Sequence, residues 1–370
     1  MNFEAYNEEV YALLKELCAI PAPSHHEEKR AAYCKAYLDK LGFDKVYIDE
    51  AKNVVCEWNC DGSNEITVFE AHTDTVFPDT EPMPYYEKDG RAFCPGIGDD
   101  TACVAAMMVA AKYLKATHTP PKNGILFVCN SCEEGLGNLK GTRALLAQYT
   151  GRIARLISFD SNLDTMHDSC VGSHRYEVEV LTEGGHSFCS FGKENAIANL
   201  ANIVARIYEI EVPKPAGTKT TYNVGLIEGG TSVNTIAQNA KMLCEYRSDD
   251  ANCLEYMKEK FETIFREAQN DRVKVNVTLV GDRPCAKNVD PAALEALTNT
   301  CRSVIEKYIG KPLHSESAST DCNAPMSIGI PSVAVGLYNG DLCHTREEWI
   351  ELESLKDGLR IAIELIQVFC

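Results

Sequence analysis

The sequence predicts an α/β fold, with a largely parallel central sheet, helices on both faces, and an inserted α+β domain. Three observations predict it. Apolar runs of strand length at 66–70, 125–130 and 155–159 alternate with segments of helical period, the pattern of a parallel sheet built from crossover units. With 370 residues the chain exceeds the usual size of one domain, so two are expected. After Asp160 the order becomes strand, helix, strand, strand, helix, strand, which is a ferredoxin-like unit. The expected division is residues 1–170 and 283–370 for the first domain and 171–282 for the insertion.

Taken in order, residues 7–19 carry Val10, Leu13, Leu14 and Leu17 at helical spacing and stop at Pro21-Ala22-Pro23. A second helix is expected to start at Ser24, capped by its hydroxyl and by Glu27 in a capping box, with His25 and His26 exposed in the first turn. Residues 45–57 read as a hairpin around Ala51-Lys52-Asn53. The apolar strand at 66–70 follows and runs into Ala71-His72-Thr73-Asp74. Residues 78–95, with Pro78, Pro82, Pro84 and Pro95, read as a long loop. Gly98-Asp99-Asp100 is expected to open a helix over 102–114, whose many alanines suit close packing on a sheet. Strand 125–130, helix 139–148 and strand 155–159 continue the alternation.

The insertion is read as strand 174–182, helix 193–209, strands 221–228 and 238–247, helix 252–269 and strand 272–280. The first domain resumes with a helix over 291–308, the polar stretch 315–321, a strand over 332–337, a loop bearing His344, and a closing helix over 353–369. His118 and His314 read as solvated loop residues, and His167 and His174 as structural residues flanking the domain junction.

The formal charge of −18 argues against nucleic acid or an anionic membrane surface as a partner. The 17 cysteines lie singly inside regular segments, which reads as free thiols in a reducing cytoplasm. No basic and apolar leader opens the sequence and no apolar run approaches 18 residues, so neither a signal peptide nor a membrane span is expected. Gly96-x-Gly98 lacks the rest of a phosphate-binding loop.

The chemistry concentrates at strand ends. His72 and Asp74 leave the strand at 66–70 two residues apart, where open α/β sheets place their ligands. Asp99-Asp100, Glu133-Glu134 and Asp160 stand at further strand ends or helix starts. So many like charges are costly unless cations sit among them. A hydrolytic metal pair needs few ligands, an open position for water, and a base that is not itself a ligand. His72 and His344 can offer one imidazole to each metal, Asp99 can bridge, and Glu134 and Asp160 can complete one side each. Glu133, beside Glu134 but pointing elsewhere, can take a proton from the attacking water. Asp74 can orient the His72 ring and fix its tautomer. Cys132, beside Glu133, reads as a small packing residue.

These stretches, together with Gly184-Gly185-His186-Ser187, the run from Ile227 to Asn234, Arg247-Ser248 and His344-Thr345-x-x-Glu348-Trp349, occur in an order and spacing that resembles one family over nearly the whole chain. It is the family of dinuclear zinc hydrolases that includes aminoacylase, glutamate carboxypeptidase, bacterial dipeptidases and peptidase T. The resemblance implies two divalent metal ions, zinc by preference with cobalt or manganese as substitutes, held by His72, Asp99, Glu134, Asp160 and His344. It implies Glu133 as general base and Asp74 as support for the first histidine. It also implies an inserted domain that serves as lid and homodimer interface, with His186, Asn234 and Arg247 binding substrate or the developing oxyanion. Two departures stand out. Thr101 occupies a place where many relatives have lysine, so a nearby positive charge is expected to be absent. Asp160 is an aspartate at a ligand position where carboxypeptidase-like relatives have glutamate, which points toward short peptides with a free amino end. The implied activity is that of an aminopeptidase or dipeptidase. An N-acyl amino-acid deacylase uses the same metal site, and a binding protein without turnover would have no need of Glu133.

Overall fold

β-Branched and aromatic residues suit a pleated, buried surface, and the apolar runs of the first half form the centre of a sheet. The computed structural model describes residues 3–117 and 120–370; His118 lies outside the described residues. Two compact units emerge, one of Met1–Cys170 with Lys287–Cys370 and the other of Val171–Ala286.

In the larger unit α1 (Phe3–Cys18) buries Val10, Leu13, Leu14 and Leu17 as its spacing predicts. Helix α2 (Glu28–Leu38) starts later than Ser24: Glu27 takes the N-cap position without a side-chain cap bond, and His25 adopts φ 71°, outside any helix. The hairpin of β1 (Lys45–Ile48) and β2 (Val54–Trp58) precedes β3 (Ile66–His72), which is buried along its whole length. The segment expected to be loop contains a second hairpin, β4 (Tyr86–Lys88) and β5 (Arg91–Phe93). Its turn, Asp89-Gly90, takes φ 52° and 78°, a conformation that favours these two residue types and needs no apolar pattern to signal it. Then follow α3 (Cys103–Thr117), β6 (Gly124–Asn130), α4 (Lys140–Gln148), β7 (Ile153–Phe159) and β8 (Thr165–Cys170). Strand β8 is not expected from the sequence, because Thr-Met-His-Asp-Ser-Cys has no apolar run.

The smaller unit comprises β9 (Gly172–Leu181), the short β10 (Gly185–His186), α5 (Ala196–Tyr208), β11 (Thr220–Gly229), the short β12 (Thr235–Ile236), β13 (Asn239–Ser248), α6 (Ala251–Ala268) and β14 (Lys274–Arg283). Its four long strands form an antiparallel sheet in the order β11-β13-β9-β14, the ferredoxin-like arrangement. Tyr176, Val178, Val180, Met242, Tyr246 and Phe261 fill its own core. Strand β14 runs to Arg283, and Cys285 packs beside Gly172 and Leu254, which carries this unit to Ala286.

The larger unit is completed by α7 (Pro291–Ile309), β15 (His314–Ala318), α8 (Asn323–Ser327), β16 (Ser332–Val335), β17 (Gly340–Asp341), β18 (Trp349–Glu351) and α9 (Ser354–Val368). Its main sheet runs β1-β2-β6-β3-β7-β16-β8-β15. The central β6, β3, β7 and β16 are mutually parallel, so their carboxyl ends open on one edge. Side chains alternate on β3: Phe69 and Ala71 join a core with Phe127, Phe159 and helices α1, α3, α7 and α9. Glu70 and His72 therefore take the other phase. The rings of Phe127 and Phe159 lie 6.3 and 5.8 Å from that of Phe69, nearly parallel to it.

Phe69 is fully buried at the middle of this stack, so Phe69→Ala leaves a large void. We expect it to lower the unfolding free energy of the larger unit by about 3–5 kcal/mol. Urea unfolding followed through Trp58, buried 6.4 Å from Phe127, measures that loss.

Candidate metal centre

Strand β3 ends with His72 at the open edge of the sheet. The ring Nδ1 lies 3.0 Å from the Asp74 backbone carbonyl oxygen, which can only accept a hydrogen bond. Nδ1 therefore carries a hydrogen, and Nε2 faces Asp99 Oδ1 at 2.9 Å. The Asp74 carboxylate also faces the ring, 3.6 Å from Nδ1 to Oδ1, and the backbone carbonyl makes the closer contact. The carboxylate braces the glutamate loop as well. Its Oδ1 accepts from the Glu133 backbone N–H and its Oδ2 from that of Glu134, each at 3.0 Å. Ser24 Oγ donates to the same Oδ2 at 2.7 Å. Burial works against an ionised Asp74, yet the His72 ring, Ser24 and the Glu134 backbone hold it below the usual carboxylate range.

Asp99 and Asp100 do not begin a regular helix. Residues Ile97–Ala102 form an irregular turn in which both aspartates have non-helical backbone angles, and α3 starts only at Cys103. The turn is fixed by Glu348, a buried carboxylate whose Oε2 accepts from Gly96 N at 2.7 Å and whose Oε1 accepts from Gly98 N at 2.8 Å and Asp99 N at 2.9 Å. A side chain at position 98 would strike the Tyr338 ring at 2.7 Å, so only glycine passes there. Asp100 points inward, its Oδ2 accepting from the His72 backbone N–H at 3.0 Å while the Cys103 thiol lies beside its buried carboxyl.

Asp99 thus presents one oxygen to each histidine. His344 Nε2, from the loop between β17 and β18, lies 2.9 Å from Asp99 Oδ2 and 3.0 Å from Glu134 Oε1. His72, Asp99 and Asp160 form one cluster whose ligand atoms lie within 4.8 Å of one another; His72, Glu133 and Glu134 form a second, and Asp99, Cys343 and His344 a third. Ligand atoms around a tetrahedral ion with bonds of about 2.0–2.1 Å stand about 3.3 Å apart, so the hydrogen-bonded spacings of 2.9–3.0 Å from His72 to Asp99 and from His344 to Asp99 and Glu134 would need to open by only about 0.3–0.4 Å to hold one. The electrostatics agree. Burial opposes a charged His72, but bonds to Asp74 and Asp99 outweigh it and raise its pKa well above the ordinary value; His344 is raised by Asp99, Cys343 and Glu134. Burial and the charge of Asp99 push Glu134 up to about 8, while the two imidazoles hold Asp99 well down against its own burial. Carboxylates that draw protons onto two imidazoles draw divalent cations by the same attraction. The donor set fits a pair of such ions bridged by Asp99.

Three supporting residues are not visible as such in the sequence. Ser24, which reads as a helix cap, instead braces Asp74. Glu348, which reads only as part of a motif, clamps the Asp99 turn. Arg30 on α2 is buried and spends its N–H groups on neutral acceptors: Thr73 O at 2.8 Å, Thr101 Oγ1 at 3.2 Å, Leu17 O at 3.2 Å, and Ile20 O from Nε at 3.0 Å and Nη2 at 2.7 Å. The positive charge expected to be missing with Thr101 is therefore present, carried in from another helix. Cys132 donates to Glu27 Oε1 at 3.2 Å, and burial pushes its thiol up to about 12, which suits packing and not nucleophilic attack. Cys129 and Cys132 stand in Cys-x-x-Cys spacing, but Cys129 turns toward Cys34, and both thiols are free.

The remaining candidates lie in the smaller unit. His186 pairs with Thr235 across the β10–β12 ladder, and Asn234 accepts from Ser187 N through its carbonyl at 2.9 Å, so His186 and Asn234 share one tip. His186 is exposed and does not cap α5, whose N-cap is Asn195; its Nδ1 accepts from the backbone N–H groups of Phe188 at 3.3 Å and Cys189 at 3.4 Å. Arg247 is not with them. It lies eight residues along β13 from Asn239, about 26 Å at strand rise, and is held by Glu245 at 2.8 and 3.1 Å.

Comparisons with known proteins bear on the fold and the family. The tripeptidase of Staphylococcus aureus superimposes with a TM-score of 0.76 at 23% identity, covering 98% of each chain. Aminopeptidase PepT of Bacillus cereus gives 0.74, also at 23% identity and 98% of each chain. In sequence, acetylornithine deacetylase of Myxococcus xanthus is 24% identical over 382 residues, 97% of each chain. The model of peptidase family M20/M25/M40 matches residues 68–368, a span that includes His72, Asp99, Glu133, Glu134, Asp160 and His344, and the chain belongs to that family.

Proposed function

We propose that this protein is an aminopeptidase or dipeptidase that cleaves amide bonds of short peptides with a free amino end, its two divalent metals held by His72, Asp99, Glu134, Asp160 and His344. Metal-dependent amide hydrolysis itself follows from membership of the family. The observation that supports the two-metal site is Asp99, whose two oxygens each meet a histidine at 2.9 Å. Divalent cations bound there, zinc by preference, supply Lewis acidity that polarises the amide carbonyl and acidifies water. Glu133 stands next to a ligand without being one; it accepts the proton of the attacking water and returns it to the leaving amine. Asp74 holds the backbone of both glutamates, so base and ligand keep a fixed separation.

The peptide substrate is supported by Asp160 and by the likeness to proteins named aminopeptidase and tripeptidase. A second reading, N-acyl amino-acid deacylase, is favoured by the relative named acetylornithine deacetylase. Release of amino acids from Leu-Gly-Gly, set against release of acetate from N-acetyl amino acids with zinc, cobalt or manganese added, decides between them; turnover of the acetyl substrates alone would overturn the peptidase reading.

We also assign residues 171–282 the role of lid and homodimer interface, with His186 and Asn234 donating to the carbonyl oxygen and Arg247 binding substrate. The exposure of His186, with no capping role of its own, supports this. A cytoplasmic setting is supported by the 17 cysteines, all free, and no helix among the described residues is long and apolar enough to cross a membrane.

Replacing Glu133 by glutamine keeps the shape but removes the proton acceptor. Turnover should fall roughly 10²- to 10⁴-fold with the metal content unchanged, as measured by kcat and elemental analysis. Asp99→Ala should empty most of both metal positions, since one carboxylate serves two cations about 3.5–4 Å apart; two ions retained per chain would contradict the bridge. His186→Ala should lower kcat about 10²-fold with fold and metals intact, the size of loss found when one oxyanion donor is removed. Sedimentation should give a dimer, and a monomer with full activity would remove the role of the inserted domain.

A further inference from the structure

The loop that presents His344 also presents Cys343, whose thiol has no part in the hydrolysis just proposed. Adjacent residues in an extended chain point to opposite sides, so one of the two should turn away from the metal centre. Here both reach the same atom. Cys343 Sγ lies 3.0 Å from Asp99 Oδ2, and His344 Nε2 lies 2.9 Å from that oxygen. The backbone achieves this by placing Leu342 at φ 62° and His344 at φ 64°, on either side of Cys343, a left-handed conformation that non-glycine residues seldom adopt. Thr345 fixes the turn through two bonds to the Leu342 carbonyl, from its N–H at 3.1 Å and from Oγ1 at 2.7 Å.

We propose that Cys343 is a metal ligand, its sulfur joining Asp99, Glu134 and His344 about the ion on the His344 side. The inference rests on the dinuclear reading and extends it. As the sulfur–metal bond forms, the thiol proton leaves to solvent. The two positions then differ in kind. The His344 side has four protein donors including a sulfur, the make-up of a closed site that favours zinc, cobalt or cadmium over magnesium or manganese. On the His72 side, the cluster of His72, Asp99 and Asp160 supplies three donors and, with Glu133 kept as the base, leaves a position for water, the make-up of a hydrolytic site. Cys343 thus assigns retention to one ion and leaves the Lewis-acid work chiefly to the other.

The test uses the full-length protein stripped of metal and titrated with cobalt(II), alongside Cys343→Ser. The wild type should develop a near-ultraviolet thiolate-to-cobalt charge-transfer band with the first equivalent, and Cys343→Ser should bind cobalt without that band. Cys189 and Cys343 are the two exposed cysteines. A thiol reagent should therefore label one thiol fewer in the loaded wild type than in the stripped wild type, and the same number in Cys343→Ser in either state. Two cobalt ions bound with no charge-transfer band, or a band that survives in Cys343→Ser, would overturn this assignment while leaving the dinuclear reading intact. Failure of cobalt to bind at all would overturn both.

Discussion

Asp99 has to face two histidines at once, and most of the larger unit can be read as the means of keeping it there. A carboxylate on an ordinary helix start would turn with the helix and satisfy one partner. Here the chain is held off the helix by Glu348, which takes the N–H groups of Gly96, Gly98 and Asp99, so the turn cannot relax into α3. Burial pushes Glu348 up to about 7 in spite of those donors. Each bond from a backbone N–H to a carboxylate contributes about 1.5–3 kcal/mol, which is the scale needed to hold an irregular turn against the helix beside it.

The same edge must keep several carboxylates close together, and it does so by giving each a different environment. Asp74 has backbone N–H donors and a serine hydroxyl, so it stays ionised. Asp99 and Glu134 meet imidazoles. Asp100 has the His72 backbone on one oxygen and the Cys103 thiol beside its carboxyl, and burial raises it well above the usual range. Behind them, on the same phase of β3 as His72, Glu70 and Asp321 share Thr142, with Asn130 also donating to Asp321. Burial raises both, Asp321 to about 7. The cluster therefore rests on a floor of acids whose ionisation is opposed by burial, so each holds its charge less readily than an exposed carboxylate would.

What the sequence disclosed and what it withheld divide along a physical line. Strands β3, β6 and β7 were legible because burial on both faces requires continuous apolar runs, and the βαββαβ order was legible from its alternation. The polar strand β8 and the β4–β5 hairpin were not: β8 buries only Met166 and Cys170 and the hairpin only Ala92, too few positions to mark a hydropathy pattern. At the candidate site, His72, Asp99, Glu133, Glu134, Asp160 and His344 could be picked out from residue type and spacing, and the fold brings them into overlapping clusters. Their supports could not: Ser24 meets Asp74 fifty residues away and Glu348 meets Gly96 across most of the chain, contacts that no local rule encodes. Ser24 looked like a helix cap because Ser-x-x-Glu is a good capping box; a tertiary partner took the hydroxyl instead. Cys343 carries no signal of its own in the sequence, and the left-handed turn brings it to Asp99.

Arg30 shows how far that support extends beyond the matched region. The family model begins at residue 68, yet the segment before it reaches two of the loops that build the centre: Ala22 accepts from Thr75 N at 2.9 Å, Ser24 holds Asp74, and Arg30 ties the Thr73 carbonyl to the Thr101 hydroxyl. Arg30 has no carboxylate partner among these bonds; five bonds to neutral oxygens carry its charge. A buried charge of this kind is costly to leave unsatisfied, about 3–5 kcal/mol when a partner is removed, so the acceptors are in effect fixed in position by the guanidinium that needs them. Two of them lie within one residue of His72 or two of Asp99. The ligands of the metal centre are thus set by side chains of the matched region, but their spacing is set in part by an arginine outside it, through the cost of stranding its charge.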